Sequence, residues 1–236
     1  SWDTNFNTSF GSQFGGTNRG VRALLLLPNG QVLTGGAVPL QRQNDPAGIG
    51  RYLARLHDGG NLDASFEAPL ATIPAPLINA LALQPDGRVL VGGTFSTTNS
   101  PPRRDLVRLN GDGSLDESFA PGIVGEIKCL AQLADGNVLV GGVLTELPTQ
   151  AAASALVRLL PEGGADPTFL AQVNGSVHAC LVHEDGRLLI GGDFTKVNGV
   201  ARRGVARLHA DGTLDRDFDP GEGPDDVVRA LALLAD

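Results

Sequence analysis

The chain has no methionine, two cysteines, one tryptophan and one tyrosine among its 236 residues, and each scarcity narrows what it can be. Two cysteines cannot make a disulfide framework. With so few of them, no Cys/His group has the spacing of a zinc site. The missing methionine leaves the chain without an initiator residue, and no signal peptide opens it. It is therefore expected to be a processed protein or an excised piece of a longer one. No apolar run approaches the roughly 18 residues that span a bilayer. Lys and Arg number 18 against 26 Asp and Glu, a net charge of −8, so the broad basic surface that nucleic acid requires is absent. Helical periodicity is missing too, because the segments between turn signals are only four to seven residues long.

What the chain does have is glycine (32 residues), proline (15) and a repeat. LLPNGQVLTGG ends at Gly35-Gly36, LQPDGRVLVGG at Gly92-Gly93, QLADGNVLVGG at Gly141-Gly142 and VHEDGRLLIGG at Gly191-Gly192, with first glycines 57, 49 and 50 residues apart. Self-similarity at this period marks a repeat architecture. Each repeat reads as four strands. In the second, strand A is Ile78–Gln84, B is Arg88–Gly92, C is Asp105–Asn110 and D is Ser114–Phe119. The repeats run over 21–66, 78–119, 127–169 and 177–218. Residues 1–6 read as the last strand of a preceding repeat and 228–236 as the first strand of a following one.

Four short strands in about 50 residues predict an all-β fold, a β-propeller of tandem four-stranded antiparallel blades, with four complete blades and partial terminal blades. A blade closed from the two termini would lack strands B and C. Either a longer array or self-association is therefore expected to complete the propeller.

The run Pro85–Phe95 (PDGRVLVGGTF), followed by Arg103–Phe119 (RRDLVRLNGDGSLDESF) and a short loop, resembles the bacterial delta-60 repeat. That is a propeller-type repeat of unknown function found in large secreted or surface-attached proteins. The resemblance covers essentially the whole chain. It implies an extracellular or cell-surface location and carries over no catalytic residue.

Recurrence within the chain sorts positions by role. Gly30, Gly87, Gly136 and Gly186 each follow Asn or Asp, the signal of a tight hairpin with positive φ. The Gly-Gly pairs end strand B where the backbone bends or is closely approached. Arg55, Arg108, Arg158 and Arg207 recur in strand C, and Asp63, Asp116, Asp166 and Asp215 follow eight residues later. Each Arg is expected to meet an Asp of its own or the adjacent blade, as a structural pair between blades. Phe66, Phe119, Phe169 and Phe218 are read as aromatic wedges between blades. Cys129 occupies the place of Ala179, and Cys180 that of Leu130. These are adjacent strand positions facing opposite sides, so both are read as small buried apolar residues.

The second residue of every A strand is polar: Arg22, Asn79, Lys128, His178 and Arg229. The third is small: Ala23, Ala80, Cys129, Ala179 and Ala230. Strand A lines the channel of a propeller, so the polar set would form a mostly basic ring at one mouth, an expected site for an anionic group. The A–B and C–D turns are short and uniform. The B–C loops (37–50, 96–103, 145–153, 195–202) and D–A loops (7–20, 67–77, 120–126, 219–226) vary, and variable loops on a rigid scaffold usually carry binding. Arg51, Arg104 and Arg203 start three C strands and add positive charge nearby.

Catalytic chemistry finds little support. His57, His178, His183 and His209 lack ligand spacing, and no G-x-S-x-G segment occurs. No cofactor is expected. Asp-Gly segments such as Asn110–Gly113 lack the length and terminal Glu of a calcium loop, and an Asp-rich loop such as Gly221–Asp226 is the place left open to calcium. The expected function is a non-enzymatic module binding protein or carbohydrate, with no nucleic acid and no membrane span. The alternative is a propeller hydrolase or lactonase with an axial metal, which the basic axial set would repel.

Overall fold

A computed structural model describes residues 20–40, 51–71, 76–147 and 154–234, with side chains of 38–40 and 51 outside that description. The 1–6 segment, the D–A loop over 7–19, and most of the first B–C loop therefore lie outside the described residues. The described chain divides at Asp116 and Glu117 into two compact units. Each holds the sheets of two repeats, the division falling three residues before the end of repeat 2, and the regular structure of the described residues is all β.

In the first unit, β1 (Val21–Leu26), β2 (Val32–Leu40) and β3 (Arg51–Leu56) form one antiparallel sheet, and β4 (Leu77–Leu83), β5 (Val89–Ser96) and β6 (Arg104–Leu109) form the next. In the second unit, β7 (Val124–Gln132), β8 (Val138–Glu146) and β9 (Leu156–Leu159) form a sheet. A further sheet is ordered β10 (Val177–Val182), β11 (Leu188–Gly192) and β14 (Val205–Leu208). The loop before β14 carries its own short hairpin of β12 (Lys196–Val197) and β13 (Val200–Ala201). Branched and leucine-rich strands meet Asn-Gly or Asp-Gly turns whose glycines sit at φ of 82 to 89°, as tight hairpins demand.

Two expectations about strands are corrected. The D segment does not form a fourth strand. It makes single bridges, Leu56↔Leu62, Leu109↔Leu115, Leu159↔Ala165 and Leu208↔Leu214, and then turns. The reason lies in the repeated aspartate. Asp63 Oδ1 accepts from the Ser65 amide at 2.9 Å, Asp166 from Thr168 at 2.8 Å and Asp215 from Asp217 at 3.0 Å. Such Asx turns compete with an extended ladder. Likewise, residues 228–234 form no strand. The Val228 amide donates to the Gly192 carbonyl at 3.1 Å, and among the described residues no further strand pairs with the segment.

Each β1-type strand also contains a bulge that the sequence pattern did not announce. Register shifts fall between Val21 and Ala23, Ile78 and Ala80, Ile127 and Cys129, and Val177 and Ala179. The bulged residue is therefore Arg22, Asn79, Lys128 or His178, and opposite it lies the Gly-Gly pair. The two glycines do different jobs. A Cβ on Gly35 would stand 2.5 Å from Ile78 Cγ2, and one on Gly141 2.9 Å from Val177 Cγ1, so the first glycine makes room for the next repeat's first A-strand residue. A Cβ on Gly36, Gly93, Gly142 or Gly192 would collide with the carbonyl of Gly20, Leu77, Glu126 or Ser176, so the second admits the bulged strand's backbone.

Within each unit an apolar layer lies between its two repeats. In the first unit it gathers Leu33, Leu53, Phe66, Ile78, Val91 and Val107. In the second it gathers Leu139, Leu156, Val177, Ile190, Phe194 and Ala206. Burial on both faces explains why the middle strands β5 and β8 read as unbroken apolar runs.

Candidate functional site

Two constellations recur in the repeats: an Arg–Asp–Phe clasp at the turn end and a bulge-plus-loop face at the opposite end. The clasp is internal to each repeat. Arg55 Nε donates to Asp63 Oδ2 at 2.8 Å, Arg108 to Asp116 at 2.8 Å, Arg158 to Asp166 at 2.8 Å and Arg207 to Asp215 at 2.7 Å. The guanidinium of Arg55 lies 4.9 Å from the Phe66 ring centroid, and those of Arg158 and Arg207 lie 5.0 Å from Phe169 and Phe218, stacking distances for a cation on a ring.

The same guanidinium reaches the following repeat. Arg55 Nη1 donates to the Gly111 carbonyl and Arg158 Nη1 to the Ala210 carbonyl. Phe119 and Phe169 pack where a Cβ on Gly163 or Gly212 would stand, which joins each ring to the next repeat's turn. Burial pushes the Asp63 and Asp166 carboxyls up. Hydrogen bonds from Ser65 or Thr168 and from the paired arginine outweigh that and hold both below the usual carboxylate range. A carboxylate held ionised in this way fixes the arginine that reaches the next repeat, and it has no proton to offer at neutral pH.

At the opposite end, the bulge turns the second A-strand residue out of the ladder. Arg22 Nη1 donates to Asn79 Oδ1 at 3.4 Å in the first unit. In the second unit the basic side chains carry acidic partners. Lys128 Nζ lies 3.4 Å from Glu126, and His178 Nε2 lies 3.6 Å from Asp193. Burial lowers the His178 pKa, with Lys128 adding to the effect and Asp193 opposing it; Arg229 lowers it further. At neutral pH His178 is thus an uncharged polar group beside a Lys–Glu pair, and the electropositive character expected from the sequence is largely offset here. The acidic partners were legible: Glu126 stands two residues before Lys128, and Asp193 follows the glycine pair.

The loops around these bulges are tied to one another. In repeat 2 the Thr98 amide donates to the Pro69 carbonyl at 2.8 Å and that of Ala71 to Ser96 at 2.8 Å, so the B–C loop is laced to the preceding D–A loop. In repeat 4 a single side chain does more. Asn174 Oδ1 accepts from the Thr195 and Lys196 amides at 2.9 and 2.8 Å, and its Nδ2 donates to Thr195 Oγ1 at 2.9 Å. Asn198 Oδ1 accepts from the Gln172 amide at 2.7 Å, and Asp193 Oδ1 from that of Ser176 at 2.5 Å. Thr195, Lys196, Asn174 and Arg203 are exposed on this laced surface.

The remaining sequence candidates fall as follows. Arg104 is exposed at the start of β6, and Arg51 has its side chain outside the described residues. Arg203 Nη2 donates to the Asp225 carbonyl at 3.1 Å, which places a guanidinium against the loop weighed for calcium. Among the described residues no three His, Cys, Asp or Glu side chains are grouped to hold a metal. The two cysteines are buried, as small apolar residues would be, and they are neighbours in one apolar cluster, where burial and then Cys180 push the Cys129 thiol up. Facing opposite sides of their own sheets is what brings them together, because those sheets are neighbours.

No curated protein matches the chain. Among solved structures it is similar to a protein of unknown function from Bacteroides caccae, at 13% identity and a TM-score of 0.46, covering 83% of this chain and 80% of that one. It is also similar to a protein of unknown function from Dyadobacter fermentans DSM 18053, at 17% identity and a TM-score of 0.43, covering 81% of this chain and 62% of that one. A family model described as a domain of unknown function (DUF5122) beta-propeller matches residues 84–119 and 183–218, so the chain is similar over these parts of repeats 2 and 4 to β-propeller repeats of unknown function.

Proposed function

We propose that this chain is a non-catalytic binding module of the delta-60 type, its four sheets acting as blades. In this reading it presents ligand at the end where B–C and D–A loops emerge. It acts at the cell surface or outside the cell, on a protein or carbohydrate partner. The observation that carries the reading is the lacing in repeat 4: Asn174, Asn198 and Asp193 spend their hydrogen bonds on ordering exposed loop backbone. Order in an exposed loop removes the entropic penalty of fixing it on binding. The turn end has the reverse character, since its Arg, Asp and Phe groups are consumed in joining repeats.

Glycan and peptide arrays probed with the labelled chain test this. Binding that falls at least tenfold in Lys196→Ala or Arg203→Ala, and is unchanged in Glu162→Ala at the turn end, supports the loop face. Binding insensitive to all loop substitutions refutes it. Metal-dependent turnover of a lactone or ester panel would instead support the hydrolase alternative.

A further inference from the structure

Cys129 lies in β7 paired with Gly141, and Cys180 lies in β10 paired with Ile190. Cross-strand partners share a face of their sheet. A Cβ on Gly141 would meet Val177 of the following repeat, so Cys129 faces repeat 4. Cys180 follows Ala179, the counterpart of Cys129, and so faces the other way, toward repeat 3. The Cys129 sulfur lies 3.9 Å from the Val177 carbonyl on β10, and both cysteines belong to the apolar layer between repeats, at 8% and 7% exposure. The same pair of positions between repeats 1 and 2 is Ala23 and Leu81, which cannot be linked.

We propose that Cys129 and Cys180 form a disulfide that staples repeat 3 to repeat 4 when the chain folds in the presence of a low-molecular-weight disulfide. One cysteine thiolate attacks the oxidant and releases one small thiol. The other then attacks the mixed disulfide, forms the Cys129–Cys180 bond and releases the second small thiol. The protein pair loses two electrons and two protons, and the oxidant gains them as two thiols. Burial raises the Cys129 pKa and excludes reagents, so exchange precedes closure of the two repeats on each other. The same burial shields the bond once formed. This inference stands apart from the loop-face reading and shares no residue with it.

The test is to refold the full chain from denaturant in oxidised and reduced glutathione. Free thiols are then counted in denaturant, and the non-reduced peptides are mapped by mass. The expected result is loss of both thiols, a mass lower by two hydrogens, a peptide linking positions 129 and 180, and a higher urea midpoint than the reduced chain. Cys129→Ala and Cys180→Leu restore residues used at the same places in sister repeats, so both should fold and show no response of the midpoint to reductant. Two persisting thiols, glutathione adducts alone, or a linked chain less stable than the reduced one would each overturn the proposal.

Discussion

Replacing Gly142 by alanine probes the most demanding contact of the repeat. The new Cβ would collide with the Glu126 carbonyl oxygen and stand 3.1 Å from both the Glu126 carbonyl carbon and Ile127 Cα. All three atoms are backbone, so no side chain can swing aside. β7 has to lift from β8 at the bulge that displays Lys128. Overpacking of this kind costs about 1–3 kcal/mol. Alanine also restricts the unfolded chain, which returns about 0.4–1 kcal/mol. The central values leave a net loss of about 1.3 kcal/mol, a fall in Tm of roughly 3–5 °C for a chain of this size. Gly111→Ala is the control. A Cβ there meets nothing within 4 Å and no positive φ forbids it, so the same entropic effect should raise stability by about 0.5 kcal/mol. Thermal and urea unfolding followed by far-UV circular dichroism reads both. A Gly142→Ala chain as stable as the parent, or two variants shifting in the same direction, would refute the role given to the second glycine.

Other outcomes follow from the clasp and the laced loops. Arg158→Ala leaves the Asp166 carboxylate in a nearly buried site without its guanidinium and should cost about 3–5 kcal/mol, while Arg158→Ala with Asp166→Ala should cost clearly less than the sum of the single changes, measured by a urea double-mutant cycle. The clasp aspartates Asp63, Asp166 and Asp215 have folded pKa values held below those of the unfolded chain. Their contribution should thus be constant above about pH 5 and be lost as pH falls from about 4 toward the lowered values, which urea midpoints across pH 2–7 will show. His178 adds a smaller loss at higher pH. Its folded pKa lies below the unfolded one, so stability drops as pH falls through about 6.5, and His178→Gln should flatten that segment alone. Asn174→Ala removes three loop hydrogen bonds and should speed amide exchange over Phe194–Val197 with little change in global Tm.

Much of the architecture was written in the sequence because it repeats. Apolar runs and Asp-Gly turns placed the A, B and C strands within a residue or two at most ends, and an eight-residue offset across a short turn brought each Arg to its Asp. Strand B was the exception, running on past the glycines to Ser96 and Glu146 because their bulge lets the ladder continue. The D segment misled because SLDESF carries the apolar and polar alternation of a strand, while its aspartate diverts the backbone into a turn. A bulge leaves no mark in the pattern beyond a polar residue between two apolar ones, so Arg22, Asn79, Lys128 and His178 looked like ordinary strand positions. The cysteine contact was hidden for a related reason: one strand's alternation says that neighbours face apart, and only the stacking of two sheets says that they meet. The lacing by Asn174 and Asn198 joins residues 22 and 26 positions apart, a separation that the alternation within one strand does not report.

The loop-face account is tested most directly by exchanging a loop and leaving the sheets alone. With an array-identified ligand in hand, the repeat 4 connection Asp193–Arg203 is replaced by Thr94–Arg104 of repeat 2, and affinity and Tm are measured together. The account predicts a loss of affinity of tenfold or more with the sheet-derived circular dichroism retained. Unchanged affinity in that chimera, and again when the D–A segment Leu170–Ser176 is exchanged for Ala120–Glu126, would contradict it.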